Sequence, residues 1–343
     1  MNQVASKLHK ESLVIDGHND TIVSHIRRGT TSLSGKPYDE TTKSTVSYLR
    51  GRLASPAADI DIQINFPKMR SGGIDAALFA VDVTLARNNH LIYALDALGA
   101  LDVEIESVGD DVVLALTADD IRQARSVGKL AVIMAVENSD ATEGSLNVLR
   151  MLHRIGVRSM GLTHNTSSRA ADGNAETRSR GGLTTFGVEL VREMNRIGMV
   201  VDVAHISEAG YRDVLEVTSH PILVSHTTCT AICDHPRNLT DEQIRALAEN
   251  GGVMGMTFVP HFVDETVPTF EKFIDHIDHA VQLVGPRYVG IGSDFDGGGT
   301  LVKDADVFPS ITESLLDRGY EPDDVQLILG ENFLRVFDQV WSG

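Results

Sequence analysis

The stretch LVIDGHND at residues 13–20 places His18 and Asp20 two positions apart, directly behind an apolar run. Side chains two apart on a β-strand point to the same face, so both would reach one site. Polar groups in an apolar setting need a partner, and a metal ion is one such partner. The pattern alone fits a strand that ends in two solvated residues equally well, so the other strand ends must decide.

Ionisable residues follow the other apolar runs in the same way. Besides His18 and Asp20, the residues at the ends of predicted strands are Glu137, His164, His205, His226 and Asp294. In a barrel of parallel strands the carboxyl ends converge on one face, where active sites lie. Four of the 13 histidines end an apolar run. This is more than we expect if histidines were placed at strand ends by chance.

Histidine and carboxylate groups are the ligands that zinc takes when thiolates are absent. Five of these residues could hold two ions, with His18 and Asp20 on one, His205 and His226 on the other, and Glu137 between them. Two metals about 3.5–4 Å apart would share a hydroxide and clamp a carbonyl under attack. Any one histidine also fits an ordinary core or loop position, so the prediction rests on the whole set.

The elements that must position these residues alternate along the chain. Apolar runs predict strands at 12–18, 73–83, 130–137, 158–164, 199–205, 221–226, 251–258 and 288–294. Helical patterns lie at 90–107, 144–156, 184–198, 207–218, 240–252 and 270–285. This alternation predicts an α/β fold, a (β/α)8 TIM barrel, with a doubly wound sheet as the alternative. No linker divides residues 1–343, so we expect a single domain with elaborated loops at 21–72 and 165–183.

Composition excludes several classes of function. A formal net charge of −18 argues against binding to nucleic acid or to an anionic membrane surface. The polar start MNQVASKLHKES leads us to expect no signal peptide. The two cysteines, Cys229 and Cys233, fit small residues in a short helix rather than a disulfide or a zinc site, and they are compatible with a reducing, cytoplasmic location.

The remaining histidines show no such pattern. His153, His276 and His279 are expected on polar helix faces, and the others in loops or turns. We assign none of them a role in the site.

Seven segments resemble the membrane dipeptidase (renal dipeptidase) family, the M19 metallopeptidases of the amidohydrolase superfamily. They are DGHND, AVEN, GLTHN, GLTTFGVELVREMNRIGMVVDVAHIS, VSHT, DHPRNLTDEQI and VGIGSDFDG, in the family's order between residues 16 and 297. The resemblance implies a barrel that binds two zinc ions bridged by Glu137. Many relatives in the superfamily use a carbamylated lysine as the bridge, and no lysine stands at a predicted strand carboxyl end here.

The resemblance also implies roles for three further residues. His164 matches the histidine that polarises the substrate carbonyl and steadies the oxyanion, and Arg237 matches the arginine that binds the substrate's C-terminal carboxylate. Asp294 matches the aspartate that carries a proton from the metal-bound water to the leaving amine. Without the resemblance, Arg237 would read as a surface arginine and Asp294 as a turn cap.

Two departures from the family pattern concern specificity. The family continues toward a Pro-Trp pair after THN, whereas this chain continues NTSSRAADGNAETRSR, and ENSD replaces the usual E-G after the bridging glutamate. We expect a zinc-dependent dipeptidase that acts on dipeptides, including L-Xaa-D-Xaa dipeptides. The alternatives are a related amidohydrolase, such as an N-acyl amino acid deacylase, and a non-catalytic binder of small ligands. A homodimer is expected from the family alone.

Overall fold

The computed structural model describes residues 2–28, 31–37, 61–86 and 88–341. Its strands are β1 Ile15–Asn19, β2 Ala76–Asp82, β3 Val112–Leu114, β4 Leu130–Glu137, β5 Val157–Gly161, β6 Val200–Asp202, β7 Leu223–Thr227, β8 Val253–Met256 and β9 Val289–Ile291. All pairs are parallel, and the β2–β4 and β1–β9 pairs close eight of the strands into a barrel. The predicted (β/α)8 fold is confirmed.

Alternation along the strands divides the core into two layers. On β2, Ala76, Leu78 and Ala80 pack inside the barrel, while Phe79 and Val81 face the surrounding helices. The strand β4 alternates in the same way, and its residues stand in register with those of β2 from Ala76↔Ala131 to Asp82↔Glu137. Small inward residues suit a narrow, filled interior.

Helices surround the barrel. The α-helices of the described residues are Gln3–Glu11, Thr21–Arg28, Phe66–Ser71, His90–Ser107, Ala118–Ser126, Leu146–Arg154, Thr185–Ile197, Glu208–Val217, Asp241–Asn250, Pro260–Val263, Phe270–Val284, Phe308–Asp317, Pro322–Gln326 and Asn332–Val340. The helices predicted at 184–198 and 240–252 begin as expected, because the Thr184 and Thr240 side chains accept from Gly187 N–H and Gln243 N–H at their starts. None of the described helices is long and apolar enough to cross a bilayer.

Two of the predicted segments differ from the structure. The strand β3 was not predicted, because three residues are too few to show alternation. The stretch 21–72, predicted as a loop, contains helices Thr21–Arg28 and Phe66–Ser71, and its residues 29–30 and 38–60 lie outside the described residues. The predicted loop at 165–183 has isolated bridges and no helix.

Two of the residue predictions were also wrong. Cys229 and Cys233 are buried free cysteines in a turn rather than a helix. His276 is buried rather than on a polar face: its Nδ1 accepts from Cys229 N–H (3.1 Å) and its Nε2 donates to Val263 O (2.9 Å). Both hydrogen bonds go to backbone groups distant in sequence, so the helical pattern alone did not indicate them.

Candidate metal centre

Glu137, the last residue of β4, lies at the centre of the polar cluster at the barrel mouth. Its Oε1 is 2.9 Å from His205 Nε2, 3.7 Å from His226 Nε2 and 4.0 Å from His18 Nε2. The two nitrogens His205 Nε2 and His226 Nε2 are 2.8 Å apart. One carboxylate oxygen is thus surrounded by three imidazole nitrogens that come from β1, β7 and the turn after β6.

The aspartates complete the cluster on the β1 and β9 side. Asp20 Oδ1 lies 3.8 Å from His18 Nε2. His18, Asp20 and Asp294 each offer a ligand atom, and these atoms lie within 4.8 Å of one another. Asp294 follows β9 by three residues, and its backbone N–H donates to His18 O (3.0 Å). The structure therefore brings together all of the predicted metal ligands and Asp294.

Several groups at the mouth are held in place by the backbone and by neighbouring side chains. His205 and Asp294 have left-handed backbones, with φ of 68° and 55°, a conformation that a residue with a Cβ adopts at some cost and often at functional sites. Gly297 packs so closely against the Asp20 and Asp294 carboxylates that a Cβ would collide with both.

The imidazoles are oriented through their second nitrogens. His205 Nδ1 donates to the Asn165 amide oxygen (2.8 Å), which leaves Nε2 to face the site, and His226 Nδ1 contacts Ser225 Oγ (2.9 Å). Such bonds fix the ring and the tautomer of a metal-binding histidine. Asn165 and Ser225 were not identified from the sequence, although each stands next to a predicted site residue.

The chemistry of the donor set fits a metal. His18 Nε2, Asp20 Oδ1 and Glu137 Oε1 are buried and have no hydrogen-bond partner among the described residues. Buried polar atoms nearly always have a partner in folded proteins, so three ligand atoms that converge on one space without a hydrogen bond from the described residues are suited to bind a cation. Nitrogen and oxygen donors without thiolates suit zinc and similar divalent ions.

Burial sets the protonation of these groups. Burial lowers the pKa of His205 and of His226 well below the ordinary value, so both rings are neutral at pH 7, as metal ligands must be. Burial raises the pKa of Glu137 well above its usual range, and the nearby Asp20 charge adds to this. Burial, followed by the Asp20 charge, raises the pKa of Asp294 to about 7, which suits a group that exchanges protons near neutral pH.

His164 and Arg237 border the cluster. The half-buried His164 ring stacks on His205 with centroids 4.2 Å apart. Arg237 is buried rather than on the surface. Its Nη2 donates to His226 O (3.4 Å), and Nε has no hydrogen-bond partner among the described residues. A cleft of about 700 Å³ opens beside His205 and Arg237 between loops 173–180 and 234–240, which is room for a small ligand.

One further carboxylate at the mouth was missed. Asp82 ends β2 in register with Glu137, is 6% exposed and interacts electrostatically with His164 and Asp20. The predicted strand ran on to residue 83, so its carboxyl end was not recognised. The apolar run AALFAV before Asp82 was the available signal.

Comparison with known proteins agrees with this geometry. The sequence profile described as membrane dipeptidase (peptidase family M19) matches residues 2–342. The dipeptidase aclJ of Aspergillus oryzae is 36% identical over 295 residues, which cover 81% of this chain and 70% of that protein. The dipeptidase verJ of Clonostachys rogersoniana is 36% identical over 266 residues, covering 76% and 68%.

Solved structures share the fold. A metallopeptidase from Rhodobacter sphaeroides, liganded with a phosphinate mimic of the dipeptide L-Ala-D-Ala, superposes with a TM-score of 0.82 at 23% identity, covering 96% of this chain and 99% of that one. An amidohydrolase from Pseudomonas aeruginosa gives 0.79 at 25% identity, covering 99% of both. With a profile that spans nearly every residue and a barrel whose mouth gathers histidines and carboxylates, this chain belongs to the membrane dipeptidase family, peptidase family M19.

Proposed function

We propose that this member of the family hydrolyses dipeptides, including L-Xaa-D-Xaa dipeptides, with two zinc ions bridged by Glu137. The observation that carries the proposal is the convergence on one space of three buried atoms that have no hydrogen bond from the described residues, His18 Nε2, Asp20 Oδ1 and Glu137 Oε1. His18 and Asp20 would hold one ion, and His205 and His226 the other. Bound there, the zinc ions would supply an activated water and a Lewis acid for the peptide carbonyl.

The chain's own residues then bind and orient the substrate. Arg237 has a buried guanidinium beside the cleft, and we assign it to the C-terminal carboxylate, because a guanidinium matches the two carboxylate oxygens. Burial lowers the pKa of Arg237 to about 10, which still leaves it charged at neutral pH. Fixing one end of a dipeptide in this way limits how far the scissile bond can shift.

Two residues act on the reacting group itself. His164 stands over His205 at the edge of the cluster and is assigned to the carbonyl oxygen as it gains negative charge. Asp294, whose pKa is raised to about 7, is assigned to hold the proton that must reach the leaving amine.

The cytoplasmic location and the homodimer stay predictions.

The test is hydrolysis of L,L-, L,D- and N-acetyl-L,D-dipeptides by the zinc-loaded and the chelated protein, with bound metal counted per chain. We expect cleavage of free-amine dipeptides that is lost on chelation and restored by zinc, with two ions bound. Glu137→Gln serves as the matched inactive variant. Turnover of the acetylated compounds alone would indicate a deacylase instead, and activity that survives chelation would contradict the metal mechanism.

A further inference from the structure

The geometry points to Asp82 as the residue that binds the free α-ammonium group of the substrate's first residue. This inference rests on the proposed dipeptidase function, since it assigns the amine of that substrate. It would make Asp82 the residue by which the site distinguishes a dipeptide from an acylated amino acid.

The position of Asp82 follows from strand alternation. Every second residue of β2 faces the barrel interior, namely Ala76, Leu78 and Ala80. Asp82 is the next residue on that face of the strand. Its register partner Glu137 occupies the same position on β4. Residues in register on adjacent parallel strands present their side chains on the same face, about 5 Å apart. Both carboxylates therefore face the mouth side by side.

Asp82 stands outside the metal cluster nonetheless. Three groups of described residues could hold a cation, and each includes His18 or Glu137, but Asp82 belongs to none of them. It interacts electrostatically with His164 and Asp20, and its hydrogen bonds among the described residues come from Thr84 rather than from either of them. A buried carboxylate in this position is suited to an organic cation.

The side chain is held with one oxygen available. Thr84 N–H and Thr84 Oγ1 both donate to Asp82 Oδ1, at 2.8 and 2.5 Å. Oδ2 takes no hydrogen bond from the residues that the structure describes. The α-ammonium of a dipeptide is two covalent bonds from the scissile carbonyl carbon. With that carbonyl over Glu137, the ammonium comes within reach of the neighbouring strand end, where Asp82 lies.

The experiment compares Asp82→Asn with wild type on two substrates. The first is the dipeptide that the zinc-loaded wild type cleaves best, and the second is its des-amino analogue, such as N-propionyl-D-alanine for L-Ala-D-Ala. The asparagine amide oxygen still accepts from Thr84, so the turn is kept while the charge is removed. A hydrogen bond between charged groups predicts a fall of about 10- to 100-fold in kcat/KM on the dipeptide. We expect no more than a small change on the analogue.

Asp75→Asn is the matched control, because Asp75 is a partly buried aspartate at the opposite end of β2 that accepts from Val14 N–H and Arg125 Nε. It should leave the ratio between the two substrates unchanged, and all variants should bind wild-type amounts of zinc. An equal fall on both substrates in Asp82→Asn would overturn the inference, since it would place the effect on His164 or on the metals.

Calorimetric binding separates this inference from the proposed function. A phosphinate analogue of the dipeptide, with and without its amine, is titrated into both proteins. The amine should strengthen binding to wild type about 10- to 100-fold more than to Asp82→Asn. An equal contribution in both proteins would overturn the assignment of Asp82 even if dipeptides are cleaved. Failure to cleave any dipeptide would instead count against the proposed function, and the binding difference would still decide the role of Asp82.

Discussion

The two ends of the barrel are built on opposite principles. At the carboxyl end of the strands, buried polar atoms such as Glu137 Oε1 have no partner among the described residues. At the amino end, helix Asn332–Val340 covers the barrel with aromatic rings: Phe333 packs on Gly17 and Gly290, and Phe337 stacks on Trp341 at 4.1 Å. Even the Trp341 indole is paired, through a bond from Nε1 to Arg158 O (3.2 Å). Stability is concentrated at one end and chemistry at the other.

Replacing the central carboxylate should give the largest effect and the clearest test of this contrast. We expect Glu137→Gln to lower kcat/KM by about 10³-fold or more, because it removes the charge that the metals share. The metal-free variant should be at least as stable as metal-free wild type, since the substitution removes a buried carboxyl whose Oε1 has no hydrogen bond from the described residues. Kinetics and thermal unfolding measure the two effects, and a large drop in melting temperature would contradict the division of roles.

The amino end should behave in the opposite way. Phe337→Ala removes a fully buried ring that stacks on Trp341 and should lower the free energy of unfolding by about 3–5 kcal/mol. Activity per folded molecule should stay near wild type, because the ring is remote from the mouth. Urea unfolding and active-site titration test this, with half-buried Phe270→Ala as the milder control. A loss of kcat in the folded fraction would show that the two ends are coupled.

Substitution of Arg237 tests whether the residues beside the metal cluster bind the substrate. Arg237→Met should raise KM by about 100-fold with a smaller change in kcat, because the lost bond to the carboxylate is a charged one. Arg212→Met is the control, since Arg212 lines the same cleft but is exposed. Equal effects of the two substitutions would indicate general electrostatic attraction rather than a specific contact.

The smallest effect is expected at Glu193. This buried carboxylate contrasts directly with Glu137, because both of its oxygens accept hydrogen bonds from arginines. Arg196, then Arg150, lower the pKa of Glu193 to about 2, from an ordinary value of 4.5. A carboxylate with a depressed pKa stabilises the fold above pH 4.5, and this contribution is lost as the pH falls toward 2.

The corresponding substitution is Glu193→Gln. At pH 7 it should cost about 1 kcal/mol, a modest value because both arginines are largely exposed. The difference from wild type should shrink below pH 4.5. Urea unfolding at pH 7 and at pH 3 measures it, and a cost that did not depend on pH would point to lost packing instead.

Most of the mouth could be predicted because its residues end long apolar strands. Glu137 and His226 stand at the ends of β4 and β7, where an uninterrupted apolar run is easy to recognise. His205 and Asp294 lie three residues beyond their strands, but the apolar run continued far enough to include them. Asp82 was not predicted as a residue of the site, because Val83 prolongs the apolar pattern past the end of β2.

The rest depended on contacts that local sequence does not encode. The burial of His276 is determined by Cys229 and Val263, which come from other segments. The turn from Cys229 to Cys233 is closed by a bond from Cys233 N–H to Cys229 O, and no helix follows because the flanking Thr228 and Thr230 pair with Leu239 instead. Such pairings appear only when distant parts of the chain have been brought together.

The short strand β3 has a consequence for self-association. Closure of the barrel leaves each of the other described strands paired on both sides, whereas β3 pairs with β4 alone. An open strand edge can recruit a second chain, and proteins limit that risk with short edges and nearby charge. Here the open edge is only Val112–Leu114, and Asp110 and Asp111 precede it. The described strands therefore offer a second copy of this barrel little backbone to pair with, so we do not expect two chains to associate by extending the sheet at β3.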